Sequence, residues 1–352
     1  MNSRGSYPAI LFKTLSHMGE TMMKKTTSAL AAAALMTAGA ASAATFQIDD
    51  NTSLTVGGDV QFTYTDVTNA QGQGVSSFTD NGSSLVFAGE QTYANGVTTS
   101  FYLDFDEFGT MGSAYNQNGP GNKAIETDEY HVSFAGNFGE IKIGNEGDVT
   151  GPIFDVVDIA ETTGLTLPAG GASTEVLQYY SNNLNGVSFA VQTQIHGDQE
   201  KNTASQNNPT SGSSTSLAGM IMADLGMFTA GAGYAERANT QDEPTYGVMV
   251  SSAIAGVDVS GNYVIQDNAN GFDANGFGLA ADYGYGSGSI YGALHAYGID
   301  NVPAGQQDDF TQYLVGVNYD VTPSAYVYGE VSSQDRASDL NDTMSVGLVY
   351  GF

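Results

Sequence analysis

Apolar and polar positions alternate with period two along most of this chain. In the last segment Met344, Val346, Leu348, Tyr350 and Phe352 fall on one side, with Ser345, Gly347, Val349 and Gly351 between them. Near the other end Leu54, Val56, Val60, Phe62 and Tyr64 share a face, and Thr55, Asp59, Gln61, Thr63 and Thr65 share the opposite one. Val97, Thr99, Phe101, Leu103 and Phe105 alternate with Thr98, Ser100, Tyr102, Asp104 and Asp106 in the same way. Successive side chains of a strand point to opposite sides, so this pattern predicts strands and not helices. It recurs over 53–66, 83–91, 96–107, 127–136, 139–145, 174–181, 186–196 and 215–224. It continues over 227–236, 244–253, 256–266, 276–284, 289–298, 311–320, 324–333 and 343–352.

The connections carry a second pattern. Short turns at Asn95-Gly96, Leu225-Gly226 and Ala255-Gly256, and at 137–139, 182–186, 286–288 and 321–324, each join an even strand to the next odd one. The long loops follow the odd strands. Alternation alone leaves two arrangements open. In a sandwich the apolar faces meet; in a membrane barrel they face lipid and the polar faces line a lumen. Small and charged residues on the polar faces favour the barrel. So do aromatics near strand ends (Tyr64, Tyr130, Tyr283, Tyr319, Phe352) and the restriction of short turns to one rim. The expected fold is all-β: a 16-stranded antiparallel transmembrane β-barrel, wide enough for an aqueous channel.

The N-terminus differs in character. Lys24 and Lys25 precede an apolar stretch over 29–38, and Ala41-Ser42-Ala43 follows. This reads as a signal peptide over 22–43 cleaved after Ala43, with 1–21 an over-long gene start and the barrel over 44–352. The apolar stretch is too short to span a bilayer, which takes about 20 residues. Removing 1–43 takes four basic residues and one acid with it, leaving five Lys/Arg against 37 Asp/Glu. Such an acid excess argues against nucleic-acid binding. The absence of cysteine excludes disulfides, thiolate metal sites and a cysteine nucleophile.

No catalytic signature appears. His131, His196 and His295 lie on separate strands without metal-type spacing, and His17 leaves with the leader. Gly231-x-Gly233 and Gly284-x-Gly286-x-Gly288 lack a following helix and lysine, so turns and thin strand faces account for them.

Several stretches resemble the general Gram-negative porins, the trimeric diffusion channels of the outer membrane. Ser84-Leu85-Val86-Phe87-Ala88-Gly89-Glu90, Asn95-Gly96-Val97 and Phe101-Tyr102-Leu103 are similar to that family's hairpin of strands two and three. Val132-Ser133-Phe134-Ala135-Gly136-Asn137-Phe138-Gly139-Glu140-Ile141-Lys142-Ile143-Gly144 is similar to the hairpin of strands four and five. Tyr180-Ser181 with Gly186-Val187-Ser188-Phe189 resembles the next one. A terminal Phe352 behind alternating apolar residues matches the signal read by the barrel-assembly machinery. The resemblance implies a homotrimer in the outer-membrane bilayer, passing small hydrophilic solutes and ions.

It also implies that residues 146–173 form a third loop folding into the barrel and narrowing it. That loop carries Glu146, Asp148, Asp155, Asp158 and Glu161, and Ile153-Phe154 and Val156-Val157 could pack it against the wall. Asp59, Asp104, Asp106 and Asp258 lie on polar strand faces with Lys142. Carboxylates along a narrow water path concentrate cations, so cation preference is expected. No cofactor is expected; Ca²⁺ is the metal such oxygen ligands could take, although no twelve-residue calcium loop is present. The family's inward arginines are missing: strand two offers Ser84, Val86 and Ala88, and Asn145 follows Gly144. Two rivals remain, a substrate-specific channel with Tyr102, Tyr326 and Tyr328 as a lumenal ladder, and a secreted soluble β-rich binding or adhesion protein.

Overall fold

The computed structural model describes residues 43–68, 74–106, 126–162, 175–194, 216–236, 242–299, 309–335 and 342–352. The expected leader, His196 and residues 163–173 of the expected third loop lie outside them. The strands are β1 (Ala44–Asp49), β2 (Thr52–Thr68), β3 (Gly74–Asp80), β4 (Ser84–Thr92), β5 (Thr98–Asp106) and β6 (Glu126–Gly136). Next come β7 (Gly139–Asn145), the short helix α1 (Gly151–Phe154), β8 (Val176–Tyr180), β9 (Val187–Gln194), β10 (Leu217–Asp224) and β11 (Thr229–Ala235). The series ends with β12 (Asp242–Ile254), β13 (Val257–Asn268), β14 (Ala274–Gly284), β15 (Gly288–Ile299), β16 (Asp309–Thr322), β17 (Ala325–Gln334) and β18 (Thr343–Gly351).

Each strand from β4 onward pairs antiparallel with the next, and β18 pairs with β2. The sheet is therefore closed. All sixteen strands expected from the alternation are present within a few residues. Two further segments, β1 and β3, extend existing staves. β1 pairs with β2 over residues 52–56, directly beyond the point where β18 leaves it, and Gly58 and Phe352 exchange both backbone hydrogen bonds there. β3 pairs with β2 over 62–68 and β4 takes over at 52–59. Eighteen segments thus build sixteen staves.

The exposed face is the apolar one. On β18 Met344, Val346, Leu348 and Tyr350 are about half exposed while Ser345 is 1 % exposed. On β12 Tyr246, Val248 and Val250 point out, and Thr245 and Met249 are buried. A water-soluble protein would invert this, because burying such residues is its main driving force. A continuous apolar outer surface suits hydrocarbon, and closure leaves no strand edge unpaired in it. The sandwich, in which these faces would meet, is not formed. The turn at 255–256 takes a left-handed backbone, with φ of 52° at Ala255 and 83° at Gly256. It is a two-residue hairpin turn matched to strand twist, in which Gly256 carries no Cβ penalty.

Candidate functional site

The interior is not empty. Residues 146–162 run along the inner face of the wall, on the side opposite the apolar surface. Pro152 occupies the first turn of α1, where its missing N–H costs nothing. Val149, Ile153, Phe154, Val156, Val157 and Ile159 are buried against Ala190, Ala218, Ala235, Met249, Val264, Ala280, Ala293 and Leu314. This cluster is the apolar core of the molecule, and it lies inside the barrel. Absent side chains make room for it. A Cβ on Gly231 would lie 2.4 Å from the Ile153 side chain, and one on Gly247 would lie 2.7 Å from the Phe154 ring.

Polar groups of the wall take up the segment's backbone. The last carbonyls of a helix have no partner within it. Here Asn262 Nδ2 donates to the carbonyls of Phe154 at 2.5 Å and Ile153 at 3.4 Å, and Ser260 Oγ donates to that of Val156 at 2.9 Å. Gln178 Nε2 donates to Gly147 O at 2.7 Å and to Gln192 Oε1 at 2.8 Å, while the Val149 N–H reaches the same Gln192 oxygen at 3.3 Å.

Farther along, Glu330 of β17 accepts the backbone N–H groups of Glu161 and Thr162 at 2.6 and 2.9 Å. Tyr291 of β15 donates to the same carboxylate at 2.9 Å. Tyr326 OH donates to Glu161 Oε2 at 2.9 Å, and the hydroxyls of Tyr328 and Thr162 are 2.9 Å apart. The aromatics considered for a ladder thus serve partly as fasteners.

The five acids of the segment fall into different settings. Glu146 lies 2.9 Å from Lys142 Nζ and against His131 Nδ1. Burial acts to raise its carboxyl, but the His131 hydrogen bond and the Lys142 charge outweigh that and hold it below the usual range. Asp148 and Asp158 stand close enough to act on Asp155. Burial, reinforced by the Asp158 and Asp148 charges, pushes Asp155 up to about 7. Burial also pushes Glu161 up to about 7, with the Tyr326 hydrogen bond working against it and the Glu330 charge adding to it. Asp148 is occupied locally by the N–H and hydroxyl of Thr150.

On the wall, Asp59 of β2 accepts from Ser84 Oγ at 2.7 Å, and Asp104 of β5 accepts from Tyr102 OH at 3.2 Å. Asp106 stands opposite Ser84 in register. Asp258 of β13 lies apart from these and faces Asp282 of β14. The Tyr102 ring stacks on His131, with centroids 5.5 Å apart. Lys142 is the only Lys or Arg among the described residues, and Glu146 pairs with it. Among the described residues no three carboxylates or histidines converge as a metal site, so the Ca²⁺ expectation gains no ligand set. Phe352 ends the chain beside Gly58, on the apolar side and 39 % exposed. Sequence reasoning missed Glu330, Asn262 and Tyr291; only their place on the polar face of a strand hinted at a lumenal role.

The family model described as Gram-negative porin matches residues 28–339. A monosaccharide porin of Halomonas sp and the major outer membrane protein of Halomonas elongata are each 29 % identical to this chain over 377 residues, covering 94 % of it and 100 % of the relative. Among solved structures, the anion-selective porin from Comamonas acidovorans superposes with a TM-score of 0.70 at 18 % identity, covering 86 % of this chain and 100 % of that one.

Proposed function

The chain belongs to the Gram-negative porin family and forms an outer-membrane channel, and we propose that it is a passive, cation-preferring pore whose narrowest part is set by residues 146–162. The observation that carries this reading is the charge balance along the interior. Asp148, Asp155, Asp158 and Glu161 all lie on the segment seated inside the barrel, and the one described Lys or Arg, Lys142, is paired with Glu146. Carboxylates in a confined water path with low-dielectric walls focus a negative potential, which concentrates cations. The transport needs no energy coupling and no chemistry on the solute.

The rest of the reading follows the family. The molecule assembles as a homotrimer, is exported on a leader cleaved after Ala43, and presents Phe352 to the assembly machinery. Anion selectivity belongs to the Comamonas protein; its fold is shared, but the interior charges of the present chain argue the other way. The test is a reversal potential across a planar bilayer under a KCl gradient. Cation preference at moderate salt supports the proposal, and anion preference overturns it.

A second reading, passage of monosaccharides, draws support from the polar aromatic pair Tyr102 and His131 beside Asp104, and from the name of the Halomonas sp relative. Sugar rings stack on aromatic faces while carboxylates accept from their hydroxyls. Liposome swelling that is faster in monosaccharides than in polyols of equal size supports it. Equal rates leave the general pore alone.

A further inference from the structure

The second stave is broken, and the break has a direction. On β2, Asp59 and Phe62 are three residues apart; their partners Ser84 and Asp80 are four apart. One extra residue is inserted between β3 and β4. A β-bulge of this kind reverses which side the following side chains face and re-aims those within it. The bulge is stabilised on both sides. Asp80 Oδ1 accepts the N–H groups of Gly82 at 2.9 Å and Ser83 at 2.7 Å. Ser83 Oγ accepts the Gln61 N–H at 2.9 Å, and the Asn81 N–H still reaches Gln61 O at 3.2 Å. The backbone is thus paired without Asn81's side chain, which is left for another partner.

That partner is the interior segment. Asn81 Nδ2 donates to the carbonyl oxygen of Glu161 at 2.9 Å and to Tyr328 OH at 3.2 Å. Glu330 accepts the N–H groups of Glu161 and Thr162 from another side. The peptide groups around Glu161 are therefore held through both donor and acceptor, by side chains from two staves that are not neighbours. The Thr162 N–H and the Glu161 carbonyl belong to one planar peptide group, so Glu330 grips its donor end and Asn81 its acceptor end.

We infer that Asn81 is a positioning residue for selectivity: the bulge at 81–83 aims it at Glu161 and so fixes where that carboxylate stands in the water path. The inference rests on the proposed role of residues 146–162 as the constriction. It makes the outer half of the second stave part of the selectivity apparatus, although Asn81 carries no charge of its own.

The experiment uses the full-length protein in planar bilayers. Asn81→Ala is compared with wild type and with the triple variant Asp148→Asn, Asp155→Asn, Asp158→Asn. Heat-modified gel mobility reports barrel assembly. Asn81→Ala is expected to assemble normally, to raise the occupancy of altered conductance levels about five-fold, the factor one neutral hydrogen bond gives, and to lower cation preference. Asn81→Gln, which keeps the amide donor, should restore part of both. If the triple variant loses selectivity while Asn81→Ala behaves as wild type, the inference fails and the constriction stands. If neither variant changes selectivity, the constriction reading fails and takes the inference with it. Should Asn81→Ala not assemble, Asn81→Asp replaces the donor with an acceptor of the same shape. Altered conductance in that variant supports the inference. Failure of both to assemble overturns it, because the role would then be in the barrel and not in selectivity.

Discussion

Glu330 Oε1 accepts the backbone N–H of Glu161 at 2.6 Å, joining residues 169 positions apart in the chain. A buried carboxylate with this many donors is a strong fastening, since hydrogen bonds to charged groups contribute about 1.5–3 kcal/mol each. Replacing Glu330 by Ala leaves two peptide N–H groups and the Tyr291 hydroxyl without their acceptor. We expect Glu330→Ala to assemble yet show a noisier and larger conductance, with the population of released segment raised at least roughly ten-fold. Single-channel recording checks this, and a quiet channel of wild-type size would count against the fastening.

Selectivity should depend on pH around neutrality. Asp155 and Glu161 are both raised to about 7 by burial. Below that value they are neutral, and above it they add negative charge to the path. Cation preference should therefore rise between about pH 6 and pH 8. The shift also acts on the segment itself. A carboxyl with a raised pKa is easier to ionise when released, so seating is firmest below the ordinary carboxylate pKa of about 4 and weakens as pH rises towards 7. Reversal potentials measured across this range test the first effect. Asp155→Asn should flatten the curve, and an unchanged curve in that variant would assign the titration elsewhere.

Removing the acid of an ion pair should release the base. Glu146→Gln leaves Lys142 uncompensated on the lumenal wall. One added net positive charge near the path should lower the cation-to-anion permeability ratio roughly two-fold at moderate salt, and less at high salt where screening dominates. Lys142→Gln in the same background should recover the ratio.

The glycine notches are a packing requirement. A methyl group at Gly247 would lie 2.7 Å from the Phe154 ring. Gly247→Ala should therefore unseat α1, with a penalty of about 1–3 kcal/mol typical of overpacking. Limited proteolysis across 146–162 should become faster while the barrel stays resistant to heat in detergent. Equal cleavage rates would mean that the ring moves aside without cost.

The strands were readable because a wall with lipid on one side and water on the other imposes period two on every stave. β1 and β3 were not found for local reasons. β1 is six residues long, too short for its alternation to stand out. β3 lies beyond the bulge at 81–83, where the alternation changes phase. The seating of Ile153-Phe154 and Val156-Val157 was legible as two apolar pairs in an otherwise polar loop. Glu330, Asn262 and Asn81 were not, since a polar residue facing the lumen looks the same whether it meets water or a peptide group 80 or more positions away. The acids were found by type, but their settings were not. Only the fold separates Glu146, compensated by Lys142, from Asp155, crowded by its own kind.

The account stands on the outward orientation of the apolar faces. The chain has no cysteine, so single cysteines along β5 and β18 can each carry one spin label in the reconstituted protein. Accessibility to molecular oxygen, which partitions into lipid, and to a water-soluble nickel chelate is then measured residue by residue. Oxygen access should peak at 101, 103, 344, 346 and 348 and fall at 100, 102, 345 and 347. An inverted pattern, or apolar positions shielded from both reagents, would contradict the barrel and the channel with it.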